Sequence, residues 1–139
     1  MANILFIDDD LTALEAVQAL FESKGYRVLR APNGAKGLEI SRKYQIDAVV
    51  LGFTPTKDAN QVADVLAKER PTLPVVIRSD FLDDIPESLK WFADALWQTG
   101  SAPEALLCEV ENLIVDNRRF NTVYVLAQRE MEKRRSPLV

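Results

Sequence analysis

Apolar residues fall along this chain in two alternating rhythms: short unbroken runs, and longer stretches in which they recur every third or fourth position. Unbroken runs suit strands buried on both faces, and the three-four recurrence suits helices with one apolar side. Asn3 to Ile7 predicts a first strand, and Leu11, Leu14, Val17, Leu20 and Phe21 predict a helix from about Leu11 to a stop at Gly25. Tyr26 to Arg30 reads as a second strand, Gly34 to Tyr44 as a helix carrying Leu38 and Ile40, and Asp47 to Leu51 as a fully buried strand. After a loop containing Pro55, Val62, Val65 and Leu66 mark a third helix ending before Pro71, and Pro74 to Ile77 forms a fourth strand. Asp84 to Phe92 predicts a shorter helix with Pro86 in its first turn, Ala93 to Trp97 a fifth strand, and Pro103 opens a long last helix. Five strands alternating with five helices define an α/β protein whose parallel sheet is covered on both faces by right-handed crossovers.

Ligand chemistry in such a sheet lies beyond the carboxyl ends of the strands. The ends of strands one, three, four and five are Asp8/Asp9, Gly52, Ser79 and Gln98/Thr99. Asp8, Asp9 and Asp10 follow Ile4-Leu5-Phe6-Ile7 directly. Adjacent carboxylates repel each other and lose hydration near a sheet, so a cation, a donor or water must offset their charge. Capping of the following helix accounts for Asp10 alone. Two acids need another explanation.

Ile4-Leu5-Phe6-Ile7-Asp8-Asp9-Asp10, Asp47-Ala48-Val49-Val50-Leu51, Leu73-Pro74-Val75-Val76-Ile77 with Ser79, Ala93-Asp94-Ala95-Leu96 and Ser101-Ala102-Pro103-Glu104-Ala105-Leu106-Leu107 occur in an informative order. Together they resemble the receiver domains of response regulators in two-component signalling, the CheY-like superfamily, up to about Ile114. The resemblance implies a flavodoxin-like, doubly wound (βα)5 three-layer sandwich with strand order 2-1-3-4-5, here with an extended C-terminal helix. It also implies a signalling module of a phosphorelay, not an enzyme, with a histidine kinase or an output protein as partner.

In working receivers the acid pair holds Mg²⁺, a strand-three aspartate accepts a phosphoryl group, a strand-four hydroxyl follows its oxygens and a strand-five lysine pairs with the phosphate. By this resemblance Asp8 and Asp9 match the acid pair, Thr54 offers the metal-binding carbonyl, and Ser79 is the phosphate-orienting hydroxyl. The acceptor position falls on Gly52, the lysine position on Thr99 (or Gln98 with a slip of one residue) and the aromatic switch position on Leu96. Pro55 also follows the acceptor position one residue early. Phosphoryl transfer concentrates negative charge and needs a divalent ion on hard oxygen ligands plus a cation or hydroxyl. With carboxylate and lysine both gone, the expectation is a degenerate pseudo-receiver without catalytic residues, holding Mg²⁺ weakly at best and acting through phosphorylation-independent protein contacts. Asp58 and Asp80 are alternative acceptors outside the strand-anchored geometry, and turn chemistry explains them more simply. A backbone hydrogen bond equally explains Ser79.

Composition narrows the alternatives. A chain of 139 residues is one domain, able to bury about two thirds of its unfolded surface without staples. Its 47% hydrophobic and 27% charged residues are a globular balance, and no apolar run reaches membrane-spanning length. The chain leads from Met1 straight into a strand, which predicts a cytoplasmic protein. Cys108 is the single cysteine and histidine is absent, which excludes a Cys/His zinc site, an internal disulfide and a histidine-based triad. Between Arg118 and Arg135 six basic side chains against two acidic ones give +4, leaving −8 elsewhere in a chain of net −4. Only Phe120 and Tyr124 interleave these charges, so a solvated helix face fits better than a nucleic-acid contact.

Leu106, Val110, Leu113, Asn117, Phe120, Tyr124, Ala127 and Met131 alternate spacings of four and three, which is a heptad seam. A helix from Pro103 to about Arg135 would extend about 48 Å, longer than the sheet it covers. The chain therefore divides into a receiver-like domain over 1–117 and an extension over 118–139, whose distal half predicts a homodimer or a partner helix with Asn117 fixing register. A linker or a tail are the other readings, and the strand-favouring Thr122 to Val125 suggest a break near Asn121. Candidate interaction residues are Leu96, Trp97, Asn117, Phe120 and Tyr124, on or near the surface of the fourth helix, fifth strand and fifth helix, although Trp91 and Trp97 each read first as core. An enzymatic alternative is a small haloacid-dehalogenase-like phosphatase using Asp8 and Asp10, because Asp8-Asp9-Asp10-Leu11-Thr12 resembles its D-x-D-x-T motif. Lys90, Asp83 and Asp84 supply the rest of that machinery poorly. A nucleotide or flavin site is disfavoured by acids where a phosphate loop would stand.

Overall fold

The first strand, β1 (Asn3–Ile7), carries four consecutive buried residues, as a strand covered on both faces must. The computed structural model describes residues 2–10, 12–54 and 58–117. Within them β1 is followed by α1 (Glu15–Ser23), β2 (Arg27–Ala31), α2 (Gly34–Lys43), β3 (Ala48–Gly52), α3 (Ala59–Glu69), β4 (Val75–Ser79), α4 (Glu87–Phe92) and β5 (Ala95–Gln98). A last helix, α5, covers 103–117. All strand pairs are parallel and the sheet order is β2-β1-β3-β4-β5, the flavodoxin-like order.

Alternation along the strands divides the core between two layers. Ile4, Phe6, Ala48, Val50, Val76 and Trp97 face one side and pack with Val17 and Phe21 of α1 and Leu106, Leu107, Val110 and Ile114 of α5. Leu5, Ile7, Val49, Leu51, Val75 and Ile77 face the other, with Val62, Ala63 and Leu66 of α3 and Leu89 of α4. Gly37 of α2 lies so close to this second layer that a Cβ there would stand 2.5 Å from Cδ1 of Ile7.

The helix ends show where chain chemistry departs from the hydrophobic pattern. Gly25, at φ +92°, closes α1 in a Schellman arrangement: Tyr26 N–H donates to the Phe21 carbonyl and Gly25 N–H to the Glu22 carbonyl. The start of α1 differs from expectation. A 3₁₀ turn over Thr12–Leu14 precedes it, and Leu14, not Asp10, is the N-cap residue. The Asp8 carboxylate accepts the Asp10 N–H at 3.0 Å, which holds this segment as a turn instead of a helix entry. The fourth helix also starts late, at Glu87, after a separate 3₁₀ turn over Leu82–Asp84. Pro86 forces Ile85 into extended backbone (φ −74°, ψ 124°), so no continuous helix can run from Asp84. The fifth strand begins at Ala95, since Ala93 ends α4 with its N–H on the Leu89 carbonyl.

Candidate functional site

Extending the two-residue alternation of the α1/α5 layer to the carboxyl ends of the strands generates the site. Phe6 leads to Asp8, Val50 to Gly52, Val76 to Arg78 and Trp97 to Thr99. Gly52 is paired in register with Arg78, and continuing the Ile7–Leu51 register by one residue sets Asp8 beside Gly52. Asp8, Gly52 and Arg78 thus form one row across β1, β3 and β4, where the core layer gives way to charge.

Arg78 fills that row. Its side chain is 2% exposed, and its guanidinium donates from Nε to Asp8 Oδ2 at 2.5 Å and from Nη2 to Asp8 Oδ1 at 3.0 Å. Nη1 donates to Thr99 Oγ1 at 2.6 Å and to Asp80 Oδ1 at 3.2 Å. Burial pulls the Arg78 pKa down, but the hydrogen bond and charge of Asp8, with the charges of Asp80 and Asp10, outweigh it and raise the pKa above its ordinary value. The pair spans β3 because residue 52 has no side chain: a Cβ there would stand within 2.3 Å of Asp8 Oδ2. Glycine at 52 is what lets a carboxylate on β1 meet a cation on β4.

The other predicted residues take varied positions. Asp9 is exposed. Ser79 is buried on the opposite side of the sheet end from Arg78, and its hydroxyl donates to the Phe81 carbonyl at 2.9 Å and accepts from Phe81 N–H at 3.3 Å. Thr54 is half-buried, its hydroxyl without a partner among the described residues. Gln98 is exposed and donates to the Asp80 carbonyl. Leu96 is half-buried against the α3/α4 layer. Of the two tryptophans expected in the core, Trp97 is there at 6% exposed, whereas Trp91 is 87% exposed, because α4 covers the sheet through Leu89 and turns Trp91 outward. Asn117 is the last described residue of α5 and is half-buried, while Pro55, Phe120, Tyr124, Ala127 and Met131, with the extension over 118–139, lie outside the described residues. Among the described heptad positions, Leu106 and Val110 are fully buried against the chain's own sheet.

The donor set does not fit the divalent ion that the resemblance implies. Both Asp8 oxygens are engaged by Arg78, Gly52 supplies no carboxylate, and no group of three metal-ligating side chains converges among the described residues. The cleft beside Asp8, Asp9, Gly52 and Asp58 holds only about 50 Å³. Chemically the row is a closed ion pair rather than an open acidic pocket.

Arg78 is the residue the sequence reading missed. Its signal was a lone cation inside the apolar run Val75-Val76-Ile77-Arg78-Ser79, where burial demands an acidic partner.

This sheet order, with acids closing β1 and a hydroxyl closing β4, defines a CheY-like receiver fold. No protein-family model matches the chain. It is similar to the protein PilH of Pseudomonas aeruginosa, 34% identical over 80 residues, which is 55% of this chain and 66% of PilH. It is 31% identical over 77 residues to the transcriptional regulatory protein GlrR of Escherichia coli, covering 55% of this chain and 17% of GlrR. The match therefore spans just under two thirds of PilH and a small part of GlrR. The crystal structure of a response regulator receiver domain protein from Clostridium thermocellum superposes with a TM-score of 0.74 at 26% identity, covering 86% of this chain and 99% of that one. In fold and in sequence the chain is similar to the receiver domains of response regulators. The phosphatase reading of Asp8 and Asp10 finds no support: fold and relatives are those of receivers, and the Asp8 carboxylate is held by Arg78. Among the described residues no helix is long and apolar enough to cross a membrane.

Proposed function

We infer that this domain is a degenerate receiver, a signalling module that acts through protein contacts without accepting a phosphoryl group on β3. The observation that carries this reading is Gly52, which stands at the acceptor position with the Asp8 carboxylate lying over it. Thr99 at the lysine position supports it, since its hydroxyl already accepts from Arg78. The partner is a histidine kinase or an output protein, by analogy with the family. The contact surface is the one formed by α4, β5 and α5, where Trp91 is exposed. A homodimer through the C-terminal helix would use the seam from Asn117 onward, because Leu106 and Val110 are already buried within the domain.

Amide NMR of the chain with acetyl phosphate, or with beryllofluoride plus Mg²⁺, tests the reading. Signals of Asp8, Gly52 and Ser79 are expected to stay in place. Saturable shifts centred on them would overturn it. Light scattering over a dilution series tests the homodimer, which a monomer at every concentration would exclude.

A further inference from the structure

We propose that the Arg78 guanidinium is the resident cation of this receiver, permanently neutralising Asp8 so that the sheet end excludes divalent ions. This deepens the reading above, which concerns the missing acceptor, by assigning the means through which the remaining acid is kept. Neighbouring strands lie about 4.8 Å apart, so β1 and β4 are separated by about twice that across β3. A short carboxylate and a long guanidinium stem together cover this distance, and glycine at 52 leaves the path between them open.

The chemistry of arginine makes the exclusion lasting. Its guanidinium carries five N–H donors and is not deprotonated in proteins. Here four hydrogen bonds tie it to Asp8, Asp80 and Thr99, which joins the ends of β1, β4 and β5. A divalent ion bonding to the Asp8 oxygens would have to take them from Arg78 and then stand beside a fixed positive charge. A lysine-like point charge would be mobile, whereas the bidentate fork fixes both oxygens at once. Occupancy by the metal and by Arg78 is therefore mutually exclusive, and the arrangement of the three strand ends does not depend on the ion.

Mn²⁺ titration of the full chain, followed by the loss of the free-ion paramagnetic resonance signal, reads this directly. The wild type is expected to show no saturable binding at millimolar Mn²⁺. Arg78→Gln is expected to gain saturable binding, tighter by about tenfold or more, within the usual range for coupled sites. That gain should compete with Mg²⁺ and disappear when Asp8→Asn is added. Arg78→Met provides a second arm: if it unfolds in chelator, millimolar Mg²⁺ is expected to restore its circular dichroism. Saturable wild-type binding that Asp8→Asn abolishes would overturn the proposal. So would folded Arg78→Gln that binds no better than wild type, or Arg78→Met that Mg²⁺ neither binds nor restores. No arm contains a phosphoryl donor, so phosphorylation of the chain would defeat the acceptor reading while leaving this result intact.

Discussion

Asp8 and Arg78 lie 70 residues apart in the chain and meet across Gly52 in a buried bidentate ion pair. Asp8 directly follows β1 and Arg78 lies in β4, two strands that do not touch because β3 runs between them. The pair occupies the place where a receiver of the working kind, by family resemblance, gathers carboxylates around a metal. Its energetics follow from burial, because either charge left alone there would be poorly solvated.

Removing one partner is expected to be costly. Arg78→Met or Asp8→Asn should each lower stability by about 3–5 kcal/mol in chelator at neutral pH. The double variant Asp8→Asn with Arg78→Met should lose much less than the sum. Urea unfolding of the four proteins gives the coupling directly, and additive losses would contradict it.

Gly52→Ala is expected to destabilise by about 1–3 kcal/mol. The new methyl group would displace an Asp8 carboxylate that Arg78 holds in place, which makes the cost depend on the pair. In an Arg78→Gln background the carboxylate is freer to move, and the penalty should shrink. Gly52→Asp alone should not restore phosphoryl acceptance, as intact mass after acetyl phosphate treatment would show.

Gly37→Ala sets helix propensity against packing. Alanine favours an exposed helix by about 1 kcal/mol over glycine, but here its Cβ would meet Ile7. Overpacking of about 1–3 kcal/mol should prevail, giving a net loss. With Ile7→Ala already present the same change should stabilise, and thermal unfolding of the cycle tests the reversal.

The Arg42–Glu69 pair links α2 to α3 at the surface. The hydrogen bond from Arg42 holds the Glu69 carboxyl below its ordinary value of 4.5, against a smaller opposing effect of desolvation. Its stabilisation is therefore fully present above that value and is lost as pH falls through the lower folded-state pKa. Glu69→Gln should flatten the acid limb of the stability profile in that window, and added salt should weaken the effect because the pair is exposed.

Trp91 and Trp97 should be separable by fluorescence. Trp91→Phe leaves the buried Trp97, whose emission should be blue-shifted and shielded from acrylamide. Trp97→Phe leaves Trp91 red-shifted and readily quenched. The opposite assignment would contradict the outward turn of α4.

Much of the architecture is legible in the chain because buried parallel strands need unbroken apolar runs. Val49-Val50-Leu51 and Val75-Val76-Ile77 admit few other readings. The late starts of α1 and α4 are less legible, since they depend on local backbone chemistry: the Asp8 carboxylate taking the Asp10 N–H, and Pro86 extending Ile85. Gly52 and Thr99 stand out as missing functional groups once a receiver pattern is laid on the sequence. Arg78 does not, because that pattern directs attention to a lysine on strand five. Its role emerges only when β1, β3 and β4 are aligned in register and the two-residue alternation is carried past Val76.

The reach of the Asp8–Arg78 pair across β3 also bears on time. The pair needs three strands docked in register, which predicts that it forms in the late part of folding. Interactions made after the transition state act mainly on the unfolding rate. Breaking the pair should steepen escape from the native state far more than it slows assembly, which stopped-flow unfolding of Asp8→Asn would register. Gly52, by leaving the path open, is then expected to lengthen the lifetime of the folded sheet.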